Sequence, residues 1–169
     1  MQRGNLVLHG NAFEVGESCA ICIGSSGAGK STLSAKMLQR GHRIIADDVC
    51  LINKDGRAVP GLSRLKLWQE AAHELEIETA GLRRVRPHMA KFDVPLGDAF
   101  REQPAPIRAI YLLTPWNQDR FLIEEITGMA KFQALRTHTY RSRFLKSMGL
   151  GPLHLQQCTA LAADTPVVQ

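Results

Sequence analysis

The residues with the clearest capacity for chemistry lie between positions 24 and 48. Gly24-Ser-Ser-Gly-Ala-Gly-Lys-Ser31 fits the phosphate-binding pattern Gly-x-x-x-x-Gly-Lys-Ser, in which glycines let consecutive backbone N–H groups turn inward around a polyphosphate. In that arrangement Lys30 reaches the β- and γ-phosphates. Ser31 offers its hydroxyl to Mg²⁺, and the helix that follows adds the partial positive charge of its N-terminus. Asp47 and Asp48 come 17 and 18 residues after Lys30. At the end of the strand after the loop helix, one carboxylate can hold Mg²⁺ while its neighbour accepts a proton from an attacking hydroxyl. A plain strand-end turn would also use two solvated aspartates. His9, beside Gly10, says little when read alone.

These residues need elements to position them. Asn5–His9 and Phe13–Val15 read as two short strands around the turn-prone pair Gly10-Asn11. Ser18–Ile23 reads as the central strand, running into the loop, and Thr32–Gln39 as a helix with Leu33, Met37 and Leu38 on one side, ended by Gly41. Arg43–Ala46 leads into the aspartates, and Val49–Ile52 continues to a turn at Lys54-Asp-Gly56. Strand, loop, helix and strand at this spacing predict a parallel pair with a right-handed crossover, and the flanking hairpins predict a mixed sheet.

Further along, Leu65–Leu75 reads as a short helix and Ile107–Leu113 and Phe121–Ile126 as strands. Thr127–Arg136 reads as a helix with a threonine cap, and Tyr140–Met148 as its neighbour. No closing element is expected within Ala160–Gln169.

Composition bounds the class. A chain of 169 residues with 44% hydrophobic content and no run of about 18 apolar residues is one domain with a real core, read as soluble and intracellular. Met1–Ala12 carries no long apolar segment with a cleavage site. Cys19 and Cys22 make a Cys-x-x-Cys pair, but on a strand positions i and i+3 face opposite ways, so packing is favoured over zinc or redox chemistry. The net charge of +5 implies an anionic partner, with nucleotide phosphates the first claimant and nucleic acid a minor one. Arg83, Arg84, Arg86, His88 and Lys91 form one basic run, and Arg136, His138, Arg141, Arg143 and Lys146 another. Such groups neutralise transferring phosphate, hold an acidic substrate segment, or line a solvated face; Lys91 and Arg141 are the leading contributors to the site.

Taken together, His9-Gly10, Gly24–Ser31 and Arg40-Gly-His-Arg-Ile-Ile-Ala-Asp-Asp48 resemble the catalytic domain of the HPr kinase/phosphorylase family. The resemblance implies an α/β P-loop nucleotide-binding fold of the HPr kinase and PEP carboxykinase-like type, a mixed central sheet flanked by helices. It implies Asp48 as the base toward a serine hydroxyl, Lys30 on the phosphates, and His9 beside the base. It also implies Ser31 and Asp47 at the metal, joined by Glu76 of Leu75-Glu-Ile77. Gly24, Ser25, Ser26, Gly27, Ala28, Gly29, Lys30, Ser31 and Thr32 form the nucleotide-binding set. Glu78-Thr-Ala-Gly-Leu-Arg-Arg-Val85 departs from the family's glycine-rich signature, and its Arg-Pro-Gly-Arg segment has no counterpart. The resemblance therefore does not extend to the reverse, phosphorylase reaction or to a particular acceptor. Pro60–Trp68, Ala109–Pro115, Ile126–Gly128 and His138–Arg141 are similar to the serine kinases of peptide-tailoring, lasso-peptide type.

The expectation is therefore a single kinase domain over residues 1–169, shortened at both ends relative to that family. It would be cytoplasmic, would use ATP and Mg²⁺, and would phosphorylate a serine of a protein or peptide, with a homo-oligomer admissible. The competing readings are an ATP-binding regulatory module with weak catalysis and a small-molecule P-loop kinase.

Overall fold

The computed structural model describes residues 4–115, 119–120 and 122–169. At its centre is β2 (Ser18–Gly24), buried along nearly its whole length. A short continuous apolar run of this kind is what a strand covered on both faces requires. It pairs antiparallel with β1 (Leu6–Val15) and parallel with β8 (Ala105–Leu113). The other edge of β1 is lined by β3 (Ile44–Ala46) and β4 (Val49–Ile52), both antiparallel to it. β5 (Arg57–Val59) joins β4 to β8, so β2, β1, β4, β5 and β8 form a closed circuit of pairings. The sheet is mixed, as expected.

Its two faces carry separate cores because side chains alternate along each strand. Cys19, Ile21 and Ile23 pack with Leu8, Ile110, Leu135 and Leu161 beneath α3 (Gly128–Thr137) and α4 (Gly151–Asp164). Ala20 and Cys22 pack on the opposite side with Ala35 of α1 (Lys30–Gln39). That second core also takes Leu65 and Leu67 of β6 (Arg64–Trp68), Ala72 of α2 (Gln69–Glu74), and Val94 of β7 (Lys91–Pro95). β6 and β7 make a separate antiparallel ribbon. Cys19 and Cys22 thus belong to different cores, and burial pushes both thiols up to about 12, which removes thiolate chemistry at neutral pH. No described helix is long and apolar enough to cross a membrane.

Several elements differ from expectation, each for a physical reason. Gly10-Asn11 is no turn; β1 runs straight through it. A Cβ at Gly10 would lie 2.5 Å from the Cys22 carbonyl oxygen, so the glycine serves close strand approach. The strands flanking α1 are parallel but not neighbours, because β1 lies between β2 and β3. Leu65–Leu75 divides into a strand and a six-residue helix, since Leu65 and Leu67 alternate with Arg64, Lys66 and Trp68 at the strand period. Only Glu125–Ile126 of the expected 121–126 strand is extended (β9), and Phe121 lies outside the described residues. Tyr140–Met148 forms only a 3₁₀ turn at Ser142–Phe144, preceded by Arg141 with a left-handed backbone at φ 51°. The C-terminal segment does close the sheet: α4 leads into β10 (Val167–Val168), which lies between β8 and β9. The buried residues His154, Cys158 and Leu161 at i, i+4 and i+7 were the legible signal for α4. Thr127 precedes α3 without a side-chain cap bond.

Because the space above Gly10 is filled by main chain, Gly10→Ala is expected to destabilise the protein by about 1–3 kcal/mol. Urea denaturation checks this; an unchanged midpoint would mean that β1 and β2 separate freely at that point.

Candidate active site

The loop between β2 and α1 is built for an anion. Gly29 caps α1 with a left-handed backbone, φ 88° and ψ 8°, a conformation that costs side-chain-bearing residues about 1–2 kcal/mol. No side chain caps α1, and its first turn holds no acidic residue, so the N–H groups of that turn are left for a ligand. Lys30 is buried and folds back over the loop. Its Nζ donates to the Gly24 carbonyl at 2.9 Å and the Ser25 carbonyl at 2.8 Å. Burial pulls its pKa down, while Asp48 and Asp47 oppose the shift and Lys91 adds to it.

Asp47 and Asp48 interrupt the line of β3 and β4 opposite Gly10-Asn11. Asp48 has a left-handed backbone, φ 65°, and β1 holds it there from both sides of the peptide. The Asn11 side-chain oxygen accepts the Asp48 N–H at 3.2 Å. Gly10 N–H donates to the Asp48 carbonyl at 3.2 Å, and His9 Nδ1 donates to the same oxygen at 2.9 Å. A carbonyl can only accept, so His9 carries a proton on Nδ1. Asn11 is fully buried, and its amide nitrogen donates to Ser34 Oγ at 3.0 Å, which ties the clamp to α1.

The two carboxylates have different surroundings. Asp47 accepts from Ser31 Oγ at 3.4 Å on one oxygen and from the Lys66 backbone N–H at 2.8 Å on the other. Asp48 accepts from the Lys66 ammonium at 2.7 Å. Lys66 therefore serves both acids, one through its main chain and the other through its side chain. Burial and the neighbouring Asp48 charge push Asp47 up to about 6. Burial also raises Asp48, but the hydrogen bond and charge of Lys66, with help from Lys91 and His9, outweigh it and hold Asp48 below the usual carboxylate value. Two adjacent acids with opposed shifts are the pattern of a divided acid–base role.

The structure brings together His9, Lys30, Ser31, Asp47 and Asp48. Thr32 lies in the first turn of α1, and Ser25, Ser26 and Gly27 are exposed at the loop tip. Glu76 is not brought in. It is exposed just after α2 with a left-handed backbone, φ 53°, and among the described residues no hydrogen bond or ion pair links its carboxylate to Ser31 or Asp47. Among the described residues no three His, Cys, Asp or Glu side chains converge as a metal site.

Sequence reading missed Lys66, Asn11 and Ser34. Lys66 was legible as the polar member of a Leu-Lys-Leu alternation, had that segment been read as a strand. Of the basic runs, Lys91 acts electrostatically on Lys30 and both aspartates and sits 5.7 Å from the Trp68 ring centroid. Arg141 stacks over Tyr140 at 5.2 Å. Arg83 pairs with Asp93 at 2.8 Å.

A family model described as HPr Serine kinase C-terminal domain matches residues 4–88. The HPr kinase/phosphorylase of Chlorobium phaeobacteroides is 31% identical over 111 residues, which make up 66% of this chain and 30% of that protein. The HPr kinase/phosphorylase of Prosthecochloris aestuarii has the same 31% identity over 111 residues, again 66% and 30% of the two chains. That of Lactobacillus johnsonii is 42% identical over 55 residues, 32% of this chain and 17% of the relative. The chain spans less than a third of the length of these relatives. Among solved structures, the Hpr(Ser) kinase/phosphatase from Coxiella burnetii aligns with a TM-score of 0.40 at 16% identity, covering 73% of this chain and 79% of that one. The matched half of the chain contains β1 with its clamp, the phosphate loop, the aspartate pair and Lys66, and on that match the chain belongs to the HPr serine kinase C-terminal domain family.

Proposed function

We propose that this chain is an ATP- and Mg²⁺-dependent serine kinase domain acting on a protein or peptide hydroxyl in the cytoplasm. The observation that carries the reading is the convergence, beside one phosphate loop, of Lys30 with two aspartates whose environments differ. The N–H groups of residues 24–32 bind the phosphates, and Lys30 exchanges its bonds to the Gly24 and Ser25 carbonyls for bonds to phosphate oxygens. Asp48, kept anionic by Lys66, accepts the proton of the acceptor hydroxyl as that oxygen attacks the γ-phosphorus and the bond to the bridging oxygen of ADP breaks. His9, hydrogen bonded to the Asp48 main chain, fixes the direction of the carboxylate.

The oxygen donors of Ser31 and Asp47, 3.4 Å apart, suit a hard cation that takes its remaining ligands from phosphate and water. These two residues would hold Mg²⁺, which when bound supplies charge neutralisation of the phosphates. Glu76 has no part in this set.

Incubation with ATP, Mg²⁺ and serine peptides tests the reading. Asp48→Asn is expected to lower phosphotransfer by about 10²–10⁴-fold while ATP still binds, as suits loss of a general base. A wild type and variant of equal rate, or transfer to a small metabolite but never to a peptide, would sink it.

A stability measurement tests the division between the acids. Asp47 in the folded chain holds its proton to about 6 against an ordinary value of 3.8, so the native state binds the extra proton between those values. Its stabilisation is complete below about pH 4 and is lost as pH rises through about 6. Asp48 has the opposite sign; its contribution is present above the ordinary carboxylate value and is lost as pH falls through its lowered one. Wild type minus Asp47→Asn, by denaturant titration in EDTA, should show stability declining from pH 4 to 6. A flat difference would refute the raised Asp47.

A further inference from the structure

One stretch of this chain carries five cations and no acid. Residues 127–163 contain Lys131, Arg136, Arg141, Arg143 and Lys146 and no aspartate or glutamate. Without these five, the 21 basic residues fall to 16, equal to the 16 acidic residues of the rest of the chain. The groups beside the phosphate loop, Lys30, Lys66 and Lys91, belong to that balanced remainder.

Three of the five cations border one groove of about 720 Å³ between α3, the 3₁₀ turn and α4. Arg136, Arg143 and Lys146 stand at its rim, all exposed, and among the described residues none pairs with a carboxylate. Its lining includes the apolar Phe132 and Leu145, both half-buried, and the exposed Leu155. Arg136 directly precedes Thr137-His138, and the His138 carbonyl accepts the His9 N–H at 2.7 Å, so the groove opens from the segment that braces the base. A nucleic acid would need free aromatic faces for its bases. Tyr140 and Phe144 are already stacked by guanidinium groups, by Arg141 at 5.2 Å and by Arg143 at 4.9 Å, and Phe132 of the groove lining is half-buried. Cations beside apolar side chains fit a peptide with acidic and aliphatic side chains instead.

We infer that the groove between α3 and α4 docks an acidic, leucine-containing segment of the phosphoacceptor, placing its serine at Asp48. The inference rests on the kinase reading for the role of the bound segment, but its binding can be measured without catalysis. The probe is a short labelled peptide of glutamate and leucine around one serine, with a counterpart carrying glutamine for glutamate. By fluorescence anisotropy, the acidic peptide should bind wild-type protein with an affinity that falls with salt, and the glutamine peptide about tenfold or more weaker. The triple reversal Arg136→Glu, Arg143→Glu, Lys146→Glu should weaken the acidic peptide to the same degree and raise its KM with kcat unchanged. ATP affinity should stay as in wild type, which also reports an intact fold. The milder pair Arg143→Gln and Lys146→Gln should fall between, and lysine at 136 and 143 should restore binding. Equal binding of both peptides, or undiminished binding by either charge variant, would overturn the inference. So would a single-stranded oligonucleotide that binds more tightly and displaces the peptide. Failure of the wild type to bind ATP would instead remove the kinase reading, with the peptide arm still deciding the groove.

Discussion

The structure turns on the left-handed backbone of Asp48. A side-chain-bearing residue reaches that conformation at a cost, and it persists only where the surroundings over-determine it. Here His9, Gly10 and Asn11, three successive residues of one strand, bond the N–H and carbonyl of Asp48 from the facing strand. The kink turns the line of β3 and β4 so that both aspartates sit beside the phosphate loop. It also explains why Gly10 has no side chain, since β1 must press against Cys22 to reach the kink.

A second constraint comes from outside the central sheet. The β6–β7 ribbon packs over α1 through Leu65 and Leu67, and this packing places Lys66 between the two acids. Its main chain meets one acid and its side chain the other, and adjacent, chemically identical residues become unlike: one is stripped of water with a backbone partner, the other is paired with an ammonium. Lys91, across the ribbon from Trp68, adds to the same field. The core of the α1 face and the electrostatics of the site are thus one piece of structure.

The charge distribution reads differently once the fold is known. As a sum, +5 points to the phosphates, because the loop is the most conspicuous anion site in the chain. In three dimensions five cations with no acid among them stand on α3 and the segment after it, beside the strand that carries His9. A net charge is a property of composition; where it acts depends on which segments the chain brings side by side.

The phosphate loop was fully legible in the sequence, because its chemistry depends on contiguous residues: glycines for the turns, Lys30 for reach, and a strand and helix on either side. The central strand and the approach of Asp47-Asp48 were legible for the same reason, each being a local pattern followed by a break. What the sequence misled about was whatever depends on distant partners. Gly10-Asn11 has the composition of a turn and is the middle of a strand, since its purpose lies 37 residues away at Asp48. Leu65–Leu75 looks like one helix because two short elements of different period adjoin. Glu76 stands exposed after α2, and its motif alone does not fix where its carboxylate lies. Sequence alone marked the loop as a candidate phosphate site; which aspartate titrates high and which low, and which lysine sets them apart, was decided by tertiary structure, because burial and hydrogen bonding across strands set those energies and neither is written in neighbouring residues.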